Sequence, residues 1–208
     1  MNTLKFKQMK NRNVILAATV LIGLFMSSCT KDKTKIEGTG QIISTTLQIV
    51  DFTAFAIEGV DDVYVNYGPE QKVTVTGHSN IISKIQTKVN NKKWKIALEE
   101  ANYGAYELTY YITLPKLNEV KIEGTSDVVI TDFIDQNNFN LEIMGAGNFE
   151  GLPMHIQHFN VNIIGSGNCK LSAESTLDVE IDGSGNVYYM GSPVIDSEIS
   201  GTGQVLPL

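Results

Sequence analysis

Apolar and polar residues alternate in short stretches along this chain, and the stretches return at a nearly constant interval. Val120 and Ile122, Leu141 and Ile143, Val161 and Ile163, and Val179 and Ile181 are apolar at every second position. Their neighbours are mostly polar: Lys121 and Glu123, Glu142 and Met144, Asn162 and Ile164, Glu180 and Asp182. Period two with β-branched residues predicts strands that bury one face. Each stretch runs into one hexapeptide, Ile-x-Gly-small-Gly-Asn, as in Ile143-Met144-Gly145-Ala146-Gly147-Asn148, and again at 163–168 and 181–186. Looser copies begin at Ile36, Ile57, Ile122 and Ile199. Glycine supplies positive φ, so the Gly-small-Gly element predicts a sharp corner after the strand. Beyond each corner stands another inward candidate: Val128, Phe149, Cys169, Val187 and Val205.

The lead glycines Gly124, Gly145, Gly165, Gly183 and Gly201 step by 21, 20, 18 and 18 residues. A period near twenty leaves room for two or three short strands and none for crossover helices, so equivalent strands must pair in parallel. The prediction is an all-β fold, a single-stranded parallel β-helix (solenoid) with coils of about 18–21 residues. One coil cannot bury its own apolar face, whereas a stack buries a continuous column of Ile and Val. An antiparallel sandwich also spaces strands regularly, but it does not require the same corner each time. The amino-terminal part is less regular. Val63, Val65 and Val73, Val75 flank the turn Tyr67-Gly68-Pro69-Glu70, and Gly77 reads as marking a diverged coil. Asn80 is placed to cap a short helical turn. Residues 87–89 and 93–98 around Asn90-Asn91 read as a hairpin.

The first 28 residues read as a lipoprotein signal peptide outside the fold. Lys5, Lys7, Lys10 and Arg12 precede an apolar run from Val14 to Met26, shorter than the roughly 20 residues of a membrane-spanning helix. Met26-Ser27-Ser28-Cys29 looks like a lipobox. That likeness implies cleavage before Cys29, lipidation of its thiol, and a membrane partner through the lipid anchor. Residues 29–35 are then a polar tether, and 36–208 are the domain. Charged residues directly after the cysteine resemble the surface-export signals of Bacteroidota lipoproteins. The expected location is the cell envelope, at the outer membrane and open to the cell surface.

After cleavage the chain holds 12 Lys, no Arg and 23 Asp and Glu, a net charge of −11. A nucleic-acid partner needs a basic footprint and is excluded. The balance is lopsided. Residues 29–119 carry 10 Lys against 11 acids, and residues 120–208 carry 2 Lys against 12 acids. With Cys29 acylated, Cys169 has no partner for a disulfide. It falls in an inward slot and reads as a small core residue rather than a nucleophile.

Phe52-Thr53-Ala54-Phe55-Ala56-Ile57-Glu58-Gly59, then Val63-Tyr64-Val65, Val73-Thr74-Val75-Thr76-Gly77 and Asn80-Ile81-Ile82, form an ordered set of motifs. Leu114-Pro115-Lys116-Leu117 leads into Ile122-Glu123-Gly124 and the Gly-Ser-Gly-Asn repeats. Together they resemble the family called putative auto-transporter adhesin, head GIN domain, over roughly residues 48–190. The resemblance implies a β-helical fold, similar in shape to pectin lyases and trimeric-adhesin heads, and an adhesive role inferred from that shape. Gly124-Thr125-Ser126-Asp127 departs from the corner pattern.

Several residue sets are candidates for chemistry. Asn148, Asn168 and Asn186 share one corner position, with Asp127 and Gln204 in register. They read as a structural ladder of stacked amides rather than an exposed recognition stripe. Glu123, Glu142, Glu180, Asp182 and Glu198 fall outward on neighbouring strands. The calcium-binding nonapeptide pattern is missing, so they read as a solvated face. His155 and His158, an odd separation apart on a strand, should point to opposite faces, and no zinc set is expected. No cofactor is expected either. β-Helical lyases use Arg or Lys beside carboxylates, and residues 29–208 lack arginine, so the sequence points away from an enzyme. Two functions follow. One is a non-catalytic cell-envelope lipoprotein, an adhesion or scaffold module whose open ends could add strands from a protein partner or a second copy. The other is a glycan-binding or polysaccharide-cleaving protein using Trp94, Tyr103 and Tyr106, which more simply pack a cap over the stack.

Overall fold

The computed structural model describes residues 35–132 and 136–208. The signal peptide, Cys29 and all of the tether but Lys35 lie outside the described residues. Lys35–Leu208 forms one compact unit.

The described residues are all-β, with a single four-residue helix among them. In chain order the elements are β1 (Ile42–Leu47), β2 (Ala54–Gly59), β3 (Asp62–Tyr67), β4 (Lys72–His78), α1 (Ser79–Ile82), β5 (Val89–Asn90), β6 (Lys93–Ile96), β7 (Leu108–Leu114) and β8 (Glu119–Gly124). They continue as β9 (Asp127–Asp132), β10 (Gln136–Gly145), β11 (Asn148–Gly165), β12 (Cys169–Gly183), β13 (Asn186–Met190), β14 (Val194–Gly201) and β15 (Gln204–Pro207). All fifteen strands join one curled sheet.

The repeats pair in parallel and in register. Ile57, Ile122, Ile143, Ile163, Ile181 and Ile199 line up across β2, β8, β10, β11, β12 and β14. Beyond the corner, Val63, Val128, Phe149, Cys169, Val187 and Val205 form a second column. A one-residue slip would turn each column out to solvent, so the buried alternation fixes the register. Ile57, Ile122, Ile143 and Ile163 are fully buried, and each contributes about 1.5–3 kcal/mol relative to exposure. Phe139, Phe149 and Phe159 meet in the interior with centroids 5.1 to 6.5 Å apart.

The parallel ladder does not run through the whole chain. At the amino-terminal end β1 pairs antiparallel with β4, and β4 antiparallel with β7. β3 and β4 flank the predicted turn, but β7 sits between them in the sheet. Gly77 therefore marks no corner: it lies within β4, opposite Ile43 and Leu108. The expected hairpin forms as β5 and β6, turning through Asn91 and Lys92 at φ 49° and 61°. Asn80 does not cap the helix. His78 occupies the cap position, and the Asn80 side chain accepts from the Thr39 N–H (2.9 Å) and donates to the Glu37 carbonyl (2.8 Å).

At the carboxyl-terminal end, among the described residues, β14 pairs only with β12 and β15 only with β13. Every residue of β14 is exposed, including Ile195 and Ile199 in register with buried Leu177 and Ile181.

Candidate functional site

The recurring corner is built by close approach of successive repeats. Gly165 has φ +129°, and a Cβ there would collide with the Gly145 carbonyl oxygen. That oxygen accepts two N–H groups from the next repeat, Ser166 at 2.8 Å and Gly167 at 3.1 Å. Gly167 is needed for space, since its Cβ would lie 2.6 Å from Cγ2 of Ile143. The same geometry recurs at Gly145, Gly183 and Gly201.

Just past the glycines the amides bond along the stack. Asp127 Oδ1 accepts both the backbone N–H (3.0 Å) and Nδ2 (2.9 Å) of Asn148. Asn148 Oδ1 accepts the same pair from Asn168 (3.2 and 3.3 Å), and Asn168 Oδ1 accepts it from Asn186 (3.0 and 3.1 Å). The run ends there: Gln204 is in backbone register with Asn186, but no side-chain bond joins them. These amides are exposed to half-buried, so burial does not dictate their pairing. Oδ1 of Asp127, Asn148 and Asn168 is in each case used twice by the next repeat, which leaves little capacity for a ligand along the run.

Asp61 occupies the slot where later repeats carry the second glycine, because Gly59 aligns with Gly124 and Val63 with Val128. The residue is 6% exposed. Burial first, and the charge of Asp62 second, push its pKa up from 3.8 to about 7. Tyr106 and Tyr110 lie in its field. Burial and then Asp61 raise both phenols. The Tyr110 hydroxyl is buried and has no hydrogen-bond partner among the described residues. In the next repeat Ser126 fills the same slot, fully buried, its hydroxyl also without a partner. That is the cost of the departure from Gly-x-Gly.

The outward column on the strands entering the corner changes character along the stack. Lys95 pairs with Glu58 (2.6 Å), Lys93 with Glu119, and Lys121 with both Glu123 (2.8 Å) and Glu142 (3.3 Å). The hydrogen bond from Lys121, opposed by burial, holds the Glu123 carboxyl below its usual range. Further on the column becomes Asn160 and Asn162, then Asp178, Glu180 and Asp182, then Asp196 and Glu198.

The aromatic residues are placed differently from the glycan expectation. Trp94 is fully buried, 5.4 Å from Phe52 and 6.0 Å from Tyr110, with its Nε1 donating to the Gln86 carbonyl at 2.9 Å. Both ring faces are committed to the core, and a sugar cannot stack on them. Tyr103 and Tyr106 are half-buried and pack edge to face at 5.9 Å. Exposed Tyr111 instead stacks on half-buried Tyr64, at 5.5 Å with planes 16° apart. Only the pairing of β3 with β7 brings these two together.

His155 and His158 are both exposed, correcting the expectation of opposite faces. The register of β11 against β12 shifts between Ile156 and His158, which breaks the alternation. His155 faces Glu174 (3.4 Å), and His158 lies 3.0 Å from the Thr176 hydroxyl. Cys169 is buried, and burial raises its thiol pKa.

A concave surface of about 630 Å³ lies where each repeat turns back into its next strand. Residues from three repeats line it, among them Asn118, Gln136, Asn137, Asn138, Asn140 and Gln157. Sequence inspection missed it, because these residues converge only through the register of β8, β10 and β11.

The sequence family described as putative auto-transporter adhesin, head GIN domain, matches residues 51–172 and 137–193. The chain belongs to this family. Among solved structures, this head GIN chain is similar to a putative adhesin of Bacteroides fragilis, at 18% identity and TM-score 0.56, over 83% of this chain and 100% of that one. A putative adhesin of Parabacteroides distasonis matches at 16% identity and TM-score 0.48, over 84% and 100% of the two chains. A putative lipid binding protein of the same species matches at 17% identity and TM-score 0.46, with the same coverage of 84% and 100%. The likeness to the Bacteroides fragilis protein shows a shared fold. No curated protein matches the chain by sequence.

Proposed function

We propose that this protein is a non-catalytic adhesion module of the cell envelope, tethered by a lipid on Cys29 and coiled as a single-stranded parallel β-helix. The observation that carries the reading is the head GIN match across residues 51–172 and 137–193, over the same repeats that pair in register. Rigid, closely bonded corners keep the outward columns at fixed spacing, and such faces offer contact area without a reaction centre. The uncovered strand edges of β14 and β15 offer backbone groups for one further strand, from a protein partner or a second copy.

Two measurements test the reading. Cys29→Ala should move the protein from the membrane fraction to the soluble fraction and remove the acyl mass from its amino terminus. A membrane-bound, unmodified protein overturns the anchor. Beads coated with the full chain should adhere to epithelial cells or mucin above uncoated beads. Equal adhesion of coated and uncoated beads overturns the adhesive role.

A further inference from the structure

The fold carries two columns of amides, and their hydrogen bonding differs. At the glycine corner Asn148, Asn168 and Asn186 bond in a run that starts from Asp127. At the opposite turn, Asn118, Asn137, Asn138 and Asn140 line the concave surface, and their side chains have no hydrogen-bond partner among the described residues. Gln136 donates Nε2 to the Leu117 carbonyl (2.8 Å), while its Oε1 is shut off from solvent and has no partner among the described residues. Gln157 is fixed from behind: its Nε2 donates to Glu174 (2.6 Å) and its Oε1 accepts from Ser175 (2.8 Å). The four asparagine amides therefore present donors and acceptors to solvent on a wall whose glutamines are held in place by their own bonds.

We propose that this groove binds a neutral glycan. A primary amide both donates and accepts, which matches vicinal sugar hydroxyls that also do both. The volume of about 630 Å³ falls within the usual range for small-ligand sites of about 300–1,000 Å³. Charge selects against other ligands. Among the described residues Lys116 is the one charged residue of the lining, too little for a phosphate backbone. Along the stack the column through Asn140 continues as Asn160, Asp178 and Asp196, so an acidic polysaccharide lying along the axis would meet carboxylates. A peptide would need apolar pockets for its side chains, and Pro115 is the only apolar residue of the lining among the described residues. The groove supplies the ligand class for the adhesive reading and rests on it.

The test uses the full chain in detergent on a printed array of neutral and acidic oligosaccharides, followed by calorimetric titration of the best neutral ligand. The variant carries Asn138→Ala and Asn140→Ala, both exposed positions. The expected result is neutral-glycan binding that weakens at least about tenfold in the variant, with an unchanged melting temperature. Binding of acidic glycans alone, of no glycan, or of neutral glycans equally well by the variant overturns the groove. Coated beads separate this from the parent reading. Adhesion that survives both the variant and excess neutral oligosaccharide sinks the groove and leaves the adhesin.

Discussion

Replacing Asp61 by Asn isolates the energetic consequence of a carboxyl placed in a glycine slot. Its pKa is pushed up to about 7 in the fold from an ordinary 3.8, which is worth about 4 kcal/mol at about 1.4 kcal/mol per tenfold change in proton affinity. The sign follows from linkage. A folded pKa above the unfolded one means the native state holds the proton more tightly. That contribution is complete below about pH 4 and is lost as pH rises through about 7. Wild type should therefore lose up to about 4 kcal/mol between pH 4 and pH 8 relative to Asp61→Asn. For a domain of this size that corresponds to roughly 8–16 °C in Tm. Urea denaturation of both proteins at pH 4, 6 and 8 reads the difference directly, because the other carboxylates titrate alike in both and cancel. The reasoning is refuted if the wild-type-minus-variant difference is flat with pH, or if the variant loses more stability than wild type as pH rises.

The other expectations concern the corner and the thiol. Gly165→Ala should cost about 3 kcal/mol or more in urea denaturation, since it combines a glycine-only φ with a collision against the Gly145 carbonyl; a loss below 1 kcal/mol, on the order of a surface substitution, would contradict the close approach. Cys169 should resist a thiol reagent such as iodoacetamide in the native protein and react after unfolding, because burial raises its pKa. Rapid native labelling would place it outside the core.

The repeats were legible because three local signals agree: alternation, positive-φ glycines and a fixed period. They place Ile143, Ile163 and Ile181 in one column, where the structure has them. The antiparallel start was not legible. β4 and β7 carry alternation without the corner motif, β1 follows only the looser copy at Ile36, and alternation alone does not fix strand direction. Trp94 illustrates a second limit. An aromatic residue reads equally as ligand platform or core, and only packing against Phe52 and Tyr110 decides. The two histidines show a third, since a register shift cancels a parity argument. The amide groove depends on residues from three repeats, and its contrast with the corner amides lies in hydrogen bonds that sequence does not display.

The central claim is that the Gly-x-Gly-Asn motif stacks the chain and leaves recognition to the faces it carries. Asn168→Ala tests this most directly, because Asn168 bonds to the repeats on both sides. The measurement pairs urea denaturation with adhesion of beads coated with folded protein. The account predicts a stability loss of about 1–3 kcal/mol from lost and orphaned hydrogen bonds, with adhesion per folded molecule unchanged. Unaltered stability together with abolished adhesion would make the motif the recognition element and contradict the account.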